Sequence, residues 1–270
     1  MKRDAYYPEC PLLYNNKLYY VEYITDRVFE IISLNYYNIY KLPNNSGPCS
    51  IIFFNKINDF IIACYNINQL ICMTNYKQVF NIPFPNDMCN DSNKGIFITS
   101  SSDYSNQDPF DPNVQASGSI YYLSPIDTTL KKIDIGTNIH YANGIVYNKS
   151  KLYVSEHLKN RILLFNVNYV DNDPILSNYQ VYLDLPYLEN SSRFLGPDGL
   201  AIDNNDNLYI AHYTTGNLLK YTNDKKLIKT YKFDLPNITN VIVDIDNTFL
   251  YITVASKELN EVGFVIKVFI

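Results

Sequence analysis

Residues 196–221 read GPDGLAIDNNDNLYIAHYTTGNLLKY. A short apolar run headed by Asp198 ends in a cluster of Asp and Asn. A second run starts at Leu208, breaks at Thr214–Gly216, and gives way to a third at Leu218. β-Branched and aromatic runs separated by such clusters mark strands joined by tight turns. The strand–turn–strand unit recurs along the chain. It reads LYYVEYITDRVFEI from Leu18, FIIACYNINQLICM from Phe60, LYVSEHLKNRILLF from Leu152 and LYITVASKELNEVGFVIKVF from Leu250. A looser copy, IFITSSS from Ile96, meets its partner GSIYYLSP only after a long loop. The six starts lie about 46 residues apart on average, within the ~40–50 of a four-stranded propeller blade. No segment holds a 3.6-residue apolar period over three turns. The pattern predicts an all-β fold, a six-bladed β-propeller with a central channel, with residues 1–270 as one domain. A β-sandwich or jelly roll is the structural alternative, but neither predicts a sixfold repeat.

The repeat has a polar component. Nine or ten residues before each unit, a polar residue heads a short apolar run. These residues are Glu9, Ser50, Asn86, Asn143, Asp198 and Asn240, in the contexts PECPLLY, PCSIIFF, PNDMCND, ANGIVYN, PDGLAID and TNVIVDI. If the runs are the innermost strands of the blades, all six side chains stand at one end of the channel. Asn143-Gly144 and Asp198-Gly199 are also common turn dipeptides, and either one alone reads as a hairpin turn. Periodicity and Glu9, which is not a turn residue, favour convergence on the axis. Two carboxylates with several amide oxygens, and neither Cys nor His, form a hard donor set. That set suits calcium or magnesium better than zinc, and flexible coordination by six or more oxygens favours calcium.

Composition narrows the function classes. The chain has 270 residues, 47% hydrophobic and 18% charged, with 22 Lys+Arg against 27 Asp+Glu. A net charge of −5 argues against a general nucleic-acid binder. No apolar run reaches the ~18–20 residues of a membrane helix. The N-terminus MKRDAYYPEC lacks an apolar signal region, so the expectation is a soluble cytoplasmic protein without a membrane partner. The 26 Tyr and 35 Asn fit an AT-rich coding bias better than a function. Cys10, Cys49, Cys64, Cys72 and Cys89 contain no CxxC and read as reduced thiols on buried strands.

At the polar positions the chain resembles the senescence marker protein, gluconolactonase and luciferin-regenerating enzyme family, to which diisopropyl fluorophosphatase and the staphylococcal drug-responsive lactonase are related. The motifs are ECP at Glu9, PND at Asn86 with Asp91 beyond it, and ANGIVYNKSKLYVSE at Asn143. GPDGLAIDNNDNLYIAH at Asp198 and LPNITN before LYIT at Asn240 complete them. The resemblance implies one divalent ion, calcium in most members and zinc or magnesium as alternatives. Its ligands would be Glu9, Asn86, Asn143 and Asp198, with Asp198 also as general base or nucleophile. The implied reaction is hydrolysis of a small-molecule lactone or related ester. Asp87, Phe84, His140 and Asn240 are the candidate substrate contacts. Phe84 stands where sugar-lactonase members carry arginine, which favours a less polar substrate. Pro8 also replaces the usual glycine before the glutamate.

His157 and His212 follow their strand motifs at matching points, which suggests a structural role near the blade turn. No GxSxG motif or Ser/His/Asp spacing is present, so a serine hydrolase is not expected. The stretch from Ser100 to Ser117 has no apolar period and reads as a lid over the channel mouth or a solvated loop. A monomer or weak oligomer is expected. The rival functions are a metal-free propeller similar to strictosidine synthase and a non-catalytic propeller that binds a ligand or protein.

Overall fold

In the computed structural model, the described residues are 1–33, 35–102, 107–111, 113–187 and 192–270. They form six four-stranded antiparallel sheets arranged as a six-bladed propeller. Among the described residues there is no α-helix, only the 3-10 turn His157–Lys159, and no helix long and apolar enough to cross a membrane.

The inner strands of blades one to six are Pro8–Tyr14, Pro48–Phe54, Pro85–Asn90, Ala142–Asn148, Gly196–Ile202 and Asn237–Val243. The second strands are Lys17–Glu22, Asp59–Cys64, Ile96–Ser100, Lys151–Glu156, Leu208–Tyr213 and Phe249–Ala255. They coincide with the six repeat units of the sequence.

Those runs are apolar throughout because both faces of a blade are covered. Side chains alternate between faces along a strand. Leu18 and Tyr20 pack toward blade six, and Tyr19 and Val21 toward blade two. Phe60, Ile62 and Cys64 pack toward blade one, and Ile61 and Ala63 toward blade three. Apolar clusters fill the six interfaces between neighbouring blades. A fully buried Ile or Phe contributes about 1.5–3 kcal/mol.

The ring closes through a strand that the repeat pattern does not contain. Lys2–Ala5 pairs antiparallel with Gly263–Phe269 and becomes the outermost strand of blade six. Both chain ends therefore share one sheet, and Glu9 follows directly in blade one. Ala5 is 1% exposed and packs with Leu18, Tyr20 and Val265, while Asp4 is exposed.

Closure can be tested there. Ala5→Asp buries an unpaired carboxylate and should cost about 3 kcal/mol or more in urea unfolding. Asp4→Ala should stay within about 0.5 kcal/mol of the parent. Equal effects would contradict a closing strand.

Candidate functional site at the channel mouth

Every inner strand carries one extra residue where it enters the channel. The register against the second strand shifts between Glu9 and Leu12, Pro48 and Ser50, Pro85 and Met88, Ala142 and Ile145, Pro197 and Leu200, and Ile238 and Asn240. Such bulges bend a strand and re-aim its side chains. Inner strands also have no partner on the channel side. Proline, which lacks an N–H, is tolerated on such an edge. It precedes Glu9, Cys49, Asn86, Asp198 and Asn237, with Ala142 standing before Asn143.

The bulges sort polar residues into two tiers. The upper tier lines a cavity of about 740 Å³ and includes Glu9, Cys49, Asn86, Asn143, Asp198 and Asn237. The lower tier centres on Asp87, which is 4% exposed. One Asp87 carboxylate oxygen accepts from Ser50 Oγ at 3.0 Å and the Met88 N–H at 2.9 Å. The other accepts from the Ile145 N–H and Asn240 Nδ2, each at 3.4 Å. Four blades thus meet on one carboxylate beneath the cavity.

Gly144 and Gly199 belong to the close approach around the axis. A Cβ on Gly144 would lie 2.1 Å from the Asp198 carbonyl oxygen, and one on Gly199 would lie 2.2 Å from the Asn240 side chain. These glycines are packing positions within strands, and the turn reading of Asn143-Gly144 and Asp198-Gly199 does not hold.

Charge is concentrated in this volume. Burial, then the nearby Asp198 and Asp87, push the Glu9 carboxyl well above its usual range. Burial, then Asp87, do the same to Asp198. Burial lifts Asp87 to about 6 despite its four hydrogen bonds. Three carboxylates that repel one another, with Asp87 and Asp198 buried and Glu9 half-buried, resist simultaneous ionisation. Among the described residues, no three His, Cys, Asp or Glu side chains gather closely enough to hold an ion by themselves. The candidate oxygen set therefore needs the Asn86 and Asn143 amides, and with them its chemistry fits a hard divalent cation.

Above the carboxylates runs an aromatic collar. Tyr7 and Tyr23 are 5.8 Å apart, and Tyr23 and Tyr65 are 6.5 Å apart. Tyr65 is hydrogen-bonded to Tyr141. Tyr141 lies 5.5 Å from His157, and His157 lies 5.6 Å from Tyr213. The Tyr213 hydroxyl returns to that of Tyr7 at 2.7 Å. Burial raises the pKa of the Tyr7 and Tyr141 phenols and keeps them neutral. Among the described residues that line the cavity, Lys257 is the one Lys or Arg.

The other expected residues fall elsewhere. Phe84 packs against Tyr65 with its ring tilted by 56° at 5.6 Å and does not line the cavity. His140 lies outside it, bound through its backbone N–H and Nδ1 to Glu156 at 2.9 and 3.0 Å. Asp87, Ser50 and Asn240 form the lower tier instead of the wall. Cys49 and Asn237 hold the upper-tier places for which Ser50 and Asn240 were expected. The preceding proline was the available signal, since counting back from the second strand misplaces the tier when hairpin length varies. The tyrosines of the collar and His157 were not anticipated as wall residues. The expected lid spans residues 100–117, of which 103–106 and 112 lie outside the described residues. Its described part brings Pro109 to the cavity. There Asp108 pairs with Arg193, whose guanidinium lies 4.1 Å over the Phe110 ring. Phe110 meets Phe194 edge-on at 5.2 Å.

Fold and mouth together define a closed propeller with an oxygen-rich, aromatic-rimmed channel. The model of the SMP-30/Gluconolactonase/LRE-like region matches residues 7–256, and the chain belongs to that family. Lactonase drp35 of Staphylococcus epidermidis is 32% identical over 137 residues, which make up 50% of this chain and 37% of that protein. The chain thus spans little more than a third of the curated relatives it matches. Among solved structures, a luciferin-regenerating enzyme superposes with a TM-score of 0.78 at 19% identity, covering 98% of this chain and 91% of that one. A calcium-binding regucalcin from Agrobacterium tumefaciens gives 0.77 at 14% identity, covering 98% and 90%. A gluconolactonase from Xanthomonas campestris gives 0.72 at 16%, covering 98% and 87%.

The two-tier packing predicts the cost of a single methyl group. Gly144→Ala should destabilise the protein by about 1–3 kcal/mol, because the surrounding backbone has to move. Chemical denaturation measures it, and an unchanged midpoint would refute the close approach at Asp198.

Proposed function

We propose that this protein is a divalent-metal-dependent hydrolase that opens a lactone or related ester. Calcium is the ion we favour. The observation that carries the reading is that Glu9, Asp198, Asn86 and Asn143 line the same cavity, with both carboxyls held above their usual range. The names of the relatives, lactonase and gluconolactonase, support the reaction class.

Glu9 and Asp198 would hold the ion with two negative charges, and Asn86 and Asn143 with neutral amide oxygens. An ion held by these four residues would supply Lewis-acid polarisation of the ester carbonyl and stabilisation of the developing oxyanion. Asp198 serves as the base that accepts a proton from the attacking water, or as the nucleophile itself. Asp87 holds the floor of the site by tying four blades together. The neutral phenols of the collar exclude bulk water and offer hydrogen-bond donors to the substrate. A wall of tyrosines with Lys257 as its cation supports a neutral substrate of low polarity. Phe84 contributes from behind by packing against Tyr65.

Calorimetry on chelator-stripped protein tests the metal. Wild type should bind calcium at one axial site, and Asp198→Ala should lose that site together with lactone and aryl-ester hydrolysis. Absence of binding to calcium, magnesium and zinc would remove the mechanism.

The carboxyls also make a prediction about pH. Without the ion, Glu9, Asp87 and Asp198 bind protons more tightly in the folded state than in the unfolded one. Their contribution favours folding on acidification and is lost as pH rises from about 4, the ordinary carboxylate range, through their raised values. Asp87 marks that window at about 6. A bound divalent ion offsets the repulsion. The difference in Tm between calcium-loaded and stripped protein should therefore widen from pH 5 to pH 8. A constant or narrowing difference would contradict the charge arrangement.

A further inference from the structure

His157 opens the 3-10 turn after the second strand of blade four and is 6% exposed. Its Nε2 lies 3.0 Å from the Phe194 carbonyl oxygen. Its Nδ1 lies 3.3 Å from Asn143 Nδ2 and 3.1 Å from the Pro197 carbonyl oxygen. A neutral imidazole has one N–H to distribute among these neighbours.

The two tautomers place opposite demands on Asn143. With the proton on Nε2, the ring donates to the Phe194 carbonyl, leaves the Pro197 oxygen without a ring donor, and presents the Nδ1 lone pair to the Asn143 amide nitrogen. With the proton on Nδ1, the ring donates to the Pro197 carbonyl. The bare Nε2 would then face the Phe194 oxygen, and Asn143 would have to meet an N–H with its own oxygen. The contact itself selects between them. Asn143 turns its amide nitrogen, not its oxygen, toward Nδ1 at 3.3 Å. A proton on Nδ1 would set N–H against N–H, so Nδ1 accepts and the ring proton sits on Nε2. Asn143 Oδ1 is the atom left for the cavity.

We propose that His157 is a positioning residue, which in its Nε2–H tautomer turns the Asn143 amide so that Oδ1 faces the channel. The same ring ties that orientation to the backbone at Phe194, whose residue lines the cavity. The consequence for ion binding rests on the ligand assignment proposed above. The orientation itself does not. Second-shell partners of this kind typically change metal affinity by about 10–100-fold.

Two measurements test the proposal. In ¹⁵N-labelled metal-free protein, long-range ¹H–¹⁵N correlations of the imidazole should report the Nε2–H tautomer. The Nδ1–H tautomer would overturn the proposal whether or not an ion binds. Calcium titrations of His157→Asn and His157→Gln then separate the two ring contacts. Asparagine keeps an acceptor at the Nδ1 position, whereas glutamine keeps a donor toward Phe194 and leaves the Asn143 amide without its acceptor. His157→Asn should bind calcium within about threefold of wild type, and His157→Gln roughly tenfold or more weakly, at equal metal-free Tm. Equal affinities for the two variants would overturn the positioning role. Failure of wild type to bind any ion would overturn the ligand assignment and leave the tautomer measurement to decide the orientation. If either variant does not fold, that measurement still decides.

Discussion

A blade of this protein has no face that can stay wet. Its second strands are apolar on both faces, so each sheet needs a neighbour on each side, and an open row would leave two faces uncovered. Closure into a ring meets that demand. The apolar clusters each draw on two adjacent blades, and the N-terminal strand joins the last sheet so that blades six and one cover each other. The channel is what remains where six inner strands converge with one edge unpaired. Hydroxyls of neighbouring strands satisfy part of the exposed backbone there. Thr99 donates to the Asn143 carbonyl, Ser155 to that of Asp198 and Thr239 to that of Pro8, at 2.6–2.7 Å.

At the mouth of this channel the chain puts three carboxylates. Their mutual repulsion and their burial both oppose ionisation, so the arrangement costs stability that the inter-blade clusters must offset. Local conflict of this kind marks functional sites in otherwise consistent folds. The bulge is the device that permits it. In blades two and three the extra residue sets a wall residue, Cys49 or Asn86, directly before one in the axial network, Ser50 or Asp87. Asp87 then acts as a hub, while Glu9 and Asp198 open onto the cavity above it. The collar of tyrosines and His157 keeps this charge under a neutral aromatic rim.

Much of this was legible in the chain. The repeat units locate all six second strands, because a strand buried on both faces leaves an uninterrupted apolar run bounded by turn residues. The spacing also brings Glu9, Asn86, Asn143 and Asp198 into one cavity. It misses Cys49, one residue before Ser50, and Asn237, three before Asn240, because hairpins of unequal length shift the count and bulges alter which neighbour faces the axis. It misses the role of Asp87 as well, since alternation alone does not say which of two consecutive polar residues lies deeper. Lys2–Ala5 has the short polar look of a tail, and only pairing with Gly263–Phe269 makes it a strand.

The sequence by itself determined the number of blades, the strand runs within them and the oxygen character of the mouth, because these follow from local apolar patterning and residue type. Tertiary structure decided the tiers, the collar and the hydrogen-bond partners of Asn143. Those depend on side chains far apart in the chain, such as Tyr7 and Tyr213, 206 positions from each other, meeting around one axis. Only closure of the ring brings them within contact distance.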